Sequence, residues 1–352
     1  GAGTSFPRGW RRRRADARRE AKVGFCDDGR PISFTGQGVG SEPDSTLRRR
    51  GSSGRVVLQQ LASYVVDLAE SGTTVEGAKA RGHEPGYRLA AAGREAPEDE
   101  RLGLLEQIYD PVSRRRRALV QPGWRCLEVG GGRGSMAVWL ADRVGPTGHV
   151  VATDVDVGYL RRLDRPNLEV VEHNILEDPL EPLGPGSFDL VCSRLMLFHL
   201  VGRQEFAIRQ MVKCLRPGGW LIDEDADWGM AAPVDPSHPL YAGYHDAWRD
   251  GDWWTVRGYD KAFGRKLPTL FERCGLVNIR HEAATEVVLG GSPWARWWAV
   301  TLEVINELGG GGTVKSYERE LDVITQALAD PTLWVLRELL HACWGRRPRD
   351  AE

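Results

Sequence analysis

The stretch Leu127-Glu128-Val129-Gly130-Gly131-Gly132-Arg133-Gly134-Ser135 decides how the rest of this chain is read. A buried-type strand runs into a glycine turn, and Ser135 to Val144 continues with helical spacing. Strand, turn and helix in this order form the crevice of doubly wound sheets, where nucleoside cofactors bind beyond the carboxyl ends of the strands. The glycines at 130, 132 and 134 read G-x-G-x-G, and Ser135 stands where the last glycine of G-x-G-x-x-G would be. Glu128 puts a carboxylate inside the strand two residues before the first glycine, and Asp154 follows Gly134 by twenty residues. A carboxylate that close to the turn favours a cofactor with a positive end and no pyrophosphate.

Outward from the turn, strand and helix signals alternate. Strands are expected at Arg125 to Val129, His149 to Asp154, Leu168 to Glu172, Phe188 to Ser193, Gly219 to Glu224 and Leu276 to Glu282. Helices are expected at Pro97 to Leu119, Ser135 to Val144, Gln204 to Leu215, Arg265 to Cys274, Pro293 to Leu308 and Val314 to Ala329, with a short one at Tyr159 to Leu163. Pro111 should break or kink the first of these, because proline lacks the N–H and its ring strikes the preceding turn. Near-continuous apolar strands separated by helices indicate a parallel sheet covered on both faces. Trp334 to Trp344 is a strand or a helix; periodicity leaves both open.

Residues 1–85 differ in texture. Arg11 to Arg14, Arg18, Arg19 and Arg48 to Arg50 stand among Gly, Ser, Pro and Asp. Such a composition buries too little apolar surface to offset ordering entropy, so a disordered Arg/Gly-rich extension is expected. The exception is Val56 to Ala69, where apolar residues could line one face of a short helix. Across the 352 residues the formal net charge is only −2, so nucleic acid is not expected as a partner. Six scattered cysteines without C-x-x-C pairs fit a reducing, cytoplasmic setting and no metal site. No apolar run nears the roughly 20 residues of a membrane helix, and the basic N-terminus lacks a signal-peptide core.

Four further motifs line up with the glycine turn: Thr153-Asp154-Val155-Asp156, Glu172-His173-Asn174-Ile175, Phe188-Asp189-Leu190-Val191 and Leu215-Arg216-Pro217-Gly218-Gly219. On these motifs, residues 104–285 resemble a class I S-adenosylmethionine-dependent methyltransferase, of the group that includes ubiquinone- and menaquinone-type and actinobacterial small-molecule enzymes. The resemblance implies an α/β, Rossmann-like, doubly wound seven-stranded sheet with its last strand antiparallel, and a helix before the first strand that lids the cofactor. It makes Trp334 to Trp344 the last strand. Residues 86–352 become one methyltransferase domain, with a cofactor half over 104–226 and cap segments at 227–262 and 290–330 over the substrate side. It also assigns S-adenosylmethionine, whose sulfonium and amino-acid end match the turn. Gly130, Gly132, Gly134 and Glu128 would meet the methionine part, and Asp154 the ribose with Val155 beside it. Asn174 and Ile175 would meet the adenine, while Ser193 and Arg194 lie near the sulfonium. The family often has Asp where Asn174 stands, yet Asn keeps an acceptor for the adenine amine.

The substrate side is read from fewer residues. His199 follows the fourth strand and is the candidate general base; a histidine in Leu197-Phe198-His199-Leu200 also suits a structural hydrogen bond. Asp223, Glu224, Asp225 and Asp227 read as solvated or salt-bridged acids rather than a metal site, and His245-Asp246 is a weaker candidate. Ten of the 13 tryptophans follow the cofactor motifs, which suits a flat or greasy acceptor. Trp253 and Trp254, with Tyr109 on the lid, are the candidate pocket residues. The expected activity is methylation of a small, partly aromatic or lipophilic metabolite, and a homodimer is compatible with it. The alternatives are a cofactor-binding regulatory protein without transferase activity, and an RNA methyltransferase using the arginine segment as an arm. A nicotinamide dehydrogenase is disfavoured by Ser135 and by the Pro-Gly-Gly turn.

Overall fold

The computed structural model describes residues 24–25, 31–32, 95–249, 259–308 and 318–349. It divides into two units, residues 1–55 and 56–352. In the first, strands Gly24–Phe25 and Pro31–Ile32 pair antiparallel, where the sequence suggested no regular structure. The helix expected at Val56 to Ala69 lies outside the described residues.

The second unit is built on seven strands: β1 Arg125–Val129, β2 His149–Asp154, β3 Leu168–Glu172, β4 Phe188–Arg194, β5 Leu215–Asp227, β6 Val277–Ala284 and β7 Leu339–Arg346. Their order across the sheet is 3-2-1-4-5-7-6. The first five run parallel, and β7 lies antiparallel between β5 and β6. The order reverses between β1 and β4, so their carboxyl ends diverge into the ligand crevice of an open sheet. A small second sheet joins Val287–Leu289, Trp334–Leu336 and Ala232–Pro233. Trp334 to Trp344 is therefore two strands, the second of which is the antiparallel last strand.

Seven helices are described: α1 Glu95–Arg116, α2 Ser135–Val144, α3 Gln204–Cys214, α4 Tyr241–Arg249, α5 Leu267–Arg273, α6 Pro293–Leu308 and α7 Glu318–Ala329. The apolar stripe of α2 (Met136, Ala137, Leu140, Ala141 and Val144) is buried, and Leu140, Ala141 and Val144 join Val120, Cys126, Val150, Leu190 and Ile222 in one apolar cluster. Each fully buried aliphatic side chain there contributes roughly 1.5–3 kcal/mol. The opposite face carries the larger core, which takes in α3, α4, α5, α6 and α7.

Two expectations are corrected. First, α1 runs through Pro111 without a break. A helix-interior proline costs about 3 kcal/mol, and tertiary anchors on both sides of it hold this one in place. Tyr109 donates to Glu338 and Arg116 to Glu224 and Glu282. Second, β5 begins at Leu215 rather than at Gly219. Phe188 pairs with Leu215 but Leu190 with Trp220, so the Pro-Gly-Gly residues bulge out of a continuous strand, with Gly218 at φ 76°.

The end of α1 is pinned to the sheet by a buried ion network. Glu224 on β5 accepts from Arg116 at 2.9 Å and from Arg117. Arg116 also reaches Glu282 on β6 at 2.7 Å and the Leu340 carbonyl on β7 at 3.0 Å, and Arg117 reaches the Ser193 carbonyl on β4. Burial alone would raise the Glu224 pKa, but the two guanidiniums outweigh it and hold the carboxyl below its ordinary range. Glu224→Gln should lower the unfolding free energy by about 3–5 kcal/mol in equilibrium denaturation, because two buried cations lose their counter-charge. Glu282→Gln, at a carboxylate half open to water, should cost less than about 1 kcal/mol. Equal losses for the two would contradict this assignment.

Candidate functional site

The glycine turn closes onto the end of β2. The N–H groups of Gly130 and Gly131 both donate to the Thr153 carbonyl at 2.9 Å, and Gly132 N–H donates to Asp154 Oδ2 at 2.9 Å. Gly134 caps α2 from the left-handed region at φ 87°, where a side chain would also strike Leu163. That conformation is open to glycine at little cost, which explains the third glycine of the motif. Asp154 thus already bonds the turn, and its Oδ1 accepts from Asp156 N–H. Burial raises its pKa against these backbone donors. Val155, half-buried, follows it at the rim.

Glu128 sits beneath the turn. It is buried, and its Oε2 has no hydrogen-bond partner among the described residues. Burial pushes its pKa up to about 7, opposed by Arg194 and Arg117 and reinforced by Asp110 and Asp154. An orphaned buried carboxylate oxygen is costly, and a cationic ligand relieves that cost. The amino group of a methionine-type cofactor therefore fits this position.

The lid helix is latched across the same crevice by Asp110. Its Oδ1 accepts from Ser135 Oγ at 3.0 Å, on the first residue of α2, and from Arg194 Nη1 at 2.8 Å, on the end of β4. Arg194 also reaches Ser113 Oγ at 3.2 Å. Arg194 is thus committed to the lid. Ser193 is buried, and its hydroxyl donates to Asp223. Its side chain is thus engaged with its neighbour on β5. Asn174 uses its Oδ1 to accept from Leu176 N–H at 3.0 Å, which leaves that oxygen one further lone pair. Ile175 is buried beside it.

His199 lies in the turn after β4, with its ring against Phe198 and Tyr259. Burial and the Arg101 guanidinium push its pKa down to about 3. Burial here disfavours the protonated imidazole that a general base must form. Tyr109 lies on α1. It is 0 % exposed, its hydroxyl donates to Glu338 at 2.7 Å, and its ring meets Trp297 edge-on at 6.1 Å. It fastens the lid to the cap. Trp253 and Trp254 lie outside the described residues.

The four acids on β5 are buried, and none is solvated. Besides Glu224, Asp227 pairs with Arg265, Asp223 accepts from Ser193, and Asp225 accepts from the N–H groups of Phe198 and Ala226. Burial pushes Asp223 up to about 7, with the Glu224 carboxylate adding to it, and burial with the Asp223 carboxylate raises Asp225 well above its ordinary range. His245 and Asp246 pair with each other on α4 at 3.4 Å. No cluster of metal-ligating side chains occurs among the described residues.

Beyond the ends of β4 and β5 the tryptophans gather. Trp228, next after β5, stacks on Trp297 of α6 with centroids 5.6 Å apart and meets Trp298 edge-on at 5.0 Å. Phe198 approaches Trp228 at 6.1 Å, and Trp248 of α4 meets Trp298 at 4.8 Å. The only sequence signal for this cluster is the uneven distribution of tryptophan; Glu338, at its polar centre, gave none. An open groove of about 410 Å³ lined by Trp220, Asn278, Ile279, Arg280 and Arg346 lies at the opposite, amino-terminal edge of the sheet. It contains none of the candidate residues.

Part of the chain is similar in sequence to known methyltransferases. Residues 127–223 match a family model described as a methyltransferase domain. The chain is 31% identical over 134 residues to a ubiquinone/menaquinone biosynthesis C-methyltransferase of Ectopseudomonas mendocina, covering 37% of this chain and 49% of that protein. It is 35% identical over 179 residues to methyltransferase str3 of Strobilurus tenacellus, covering 48% and 58%. The chain spans about half the length of these curated relatives. Among solved structures, a phosphoethanolamine N-methyltransferase of Haemonchus contortus is similar at 13% identity, with a TM-score of 0.46 over 87% of this chain and 75% of that one. No described helix is long and apolar enough to cross a membrane. The 3-2-1-4-5-7-6 sheet and the matched stretch give residues 127–223 a resemblance to a methyltransferase domain on an α/β, Rossmann-like fold.

Proposed function

We propose that this protein transfers the methyl group of S-adenosylmethionine to a small, partly aromatic or lipophilic acceptor. The observation that carries the reading is the unpartnered Glu128 oxygen under a glycine turn at the switch point of the sheet. Glu128 would hold the ammonium of the cofactor. The glycines let the ligand approach the backbone, Asp154 and Val155 meet the ribose, and Asn174 and Ile175 meet the adenine. S-adenosylmethionine supplies an activated methyl on a sulfonium, displaced in line by the acceptor.

The work left to the protein is mainly alignment, which can supply about 7–11 kcal/mol of a barrier. The lid fastened by Asp110 holds the crevice shut from one side, and the aromatic cluster beyond β4 and β5 walls the other. Apolar walls suit an acceptor that sheds its water on entry. The ubiquinone/menaquinone-type relatives support a small-molecule acceptor over a macromolecule.

The direct test uses S-adenosylmethionine with a labelled methyl group and a small-molecule cell extract. Label should appear in organic-soluble product. Label in RNA or protein, or in no product, would contradict the reading.

Two binding measurements check the cofactor site. Asp154→Ala should weaken S-adenosylhomocysteine binding by roughly 10–100-fold in calorimetry, the loss expected for hydrogen bonds to a charged group. Unchanged affinity would remove Asp154 from the site. The second is pH dependence. A cationic ligand favours the ionised form of Glu128, so binding releases a proton wherever that group starts protonated. With the carboxyl at about 7, affinity should fall about tenfold from pH 8 to pH 6. Glu128→Gln should bind more weakly and lose this pH dependence; a pH profile identical to wild type would exclude Glu128.

A further inference from the structure

The aromatic cluster encloses polar groups that the fold leaves unsatisfied. Glu338, between the last two strands, is buried and fully engaged: Oε1 accepts from Tyr109 and Arg337, and Oε2 from Trp294 Nε1 at 2.6 Å. Around it, Trp297 Nε1 and the Tyr244 hydroxyl have no hydrogen-bond partner among the described residues. Trp297 is 4 % exposed and Tyr244 0 %. Burial and the nearby Glu338 carboxylate raise the Tyr244 pKa far above its ordinary value, so this hydroxyl stays protonated and keeps its proton to donate. Stranded polar groups of this kind are destabilising unless something pairs with them.

The place of the cluster gives this meaning. Tyr109 and Asp110 are neighbours on α1: Asp110 accepts from Ser135, the residue that follows the glycine turn, and from Arg194 at the end of β4, while Tyr109 touches Trp297. Phe198 and Trp228, which follow β4 and β5, form its sheet-side wall. The cluster therefore adjoins the cofactor crevice on its acceptor side.

We infer that this cluster is the acceptor subsite, and that Trp297 Nε1–H and the Tyr244 hydroxyl select a neutral, flat molecule bearing a hydroxyl, ether or carbonyl oxygen. The inference rests on the methyl-transfer reading above. An indole N–H can only donate, so its partner is an acceptor atom. An anion would be opposed by Glu338 in a buried setting. A cation gains little there, because Arg337 already balances Glu338 and the free N–H points positive charge at it. Aromatic walls supply the area for a flat ring.

The test uses phenol and toluene, which differ only by hydroxyl against methyl. Ligand-observed NMR with the full chain, with and without S-adenosylhomocysteine, should show phenol binding about tenfold more tightly than toluene. Trp297→Phe and Tyr244→Phe should each reduce that preference severalfold while toluene still binds. Equal binding of the two probes to wild type overturns the inference, as does binding of neither, or a preference that survives both substitutions. Failure of S-adenosylhomocysteine to bind would count against the methyl-transfer reading and leave the probe ratio to be judged separately.

Discussion

The three hydrogen bonds between the glycine turn and the end of β2 are the constraint on which the site depends. Gly130, Gly131 and Gly132 each donate a backbone N–H to Thr153 or Asp154. They hold the end of β1 against β2 and direct the chain into α2 without covering the crevice. A β-carbon at Gly134 would press on Leu163 and strain φ, so the third glycine serves helix placement as much as ligand access. Asp154 serves the turn before any ligand arrives.

A second set of contacts brings distant parts of the chain to that crevice. Asp110 links α1 to the first residue of α2 and to the end of β4. Seven residues later Arg117 reaches Glu224 and the Ser193 carbonyl, so the same segment is tied to the lip of the crevice and to the sheet behind it. Leu195, just past β4, is held at φ 50° while its N–H donates to the Glu224 carbonyl at 2.7 Å. Strain of this sort persists where surrounding contacts over-determine the backbone, here at the mouth of the site.

Much of the fold was legible because its signals are local. The β1 strand, the glycine turn and α2 carry their periodicity and turn chemistry in one stretch, and the structure reproduces their boundaries. What was not legible depends on partners far away in sequence. Pro111 does not break α1 because Glu338, Glu224 and Glu282 anchor it. Of the two readings open for Glu224, solvated or salt-bridged, the structure shows the second, because two arginines more than a hundred residues earlier meet it. Burial and Arg101 on α1 lower the His199 pKa, an effect its own apolar stretch could not reveal. The hydroxyls of Ser193 and Tyr109 turn to Asp223 and Glu338, partners on other elements that the local sequence does not announce.

The central claim is that Glu128 and Asp154 form the cofactor end of a methyltransferase crevice. A crystal structure of the full chain with S-adenosylhomocysteine tests it most directly. The account predicts the ligand's ammonium within hydrogen-bonding reach of Glu128 Oε2, directly or through one water, and its ribose hydroxyls on Asp154. A ligand bound elsewhere, or one that leaves the Glu128 oxygen unpartnered, would contradict it.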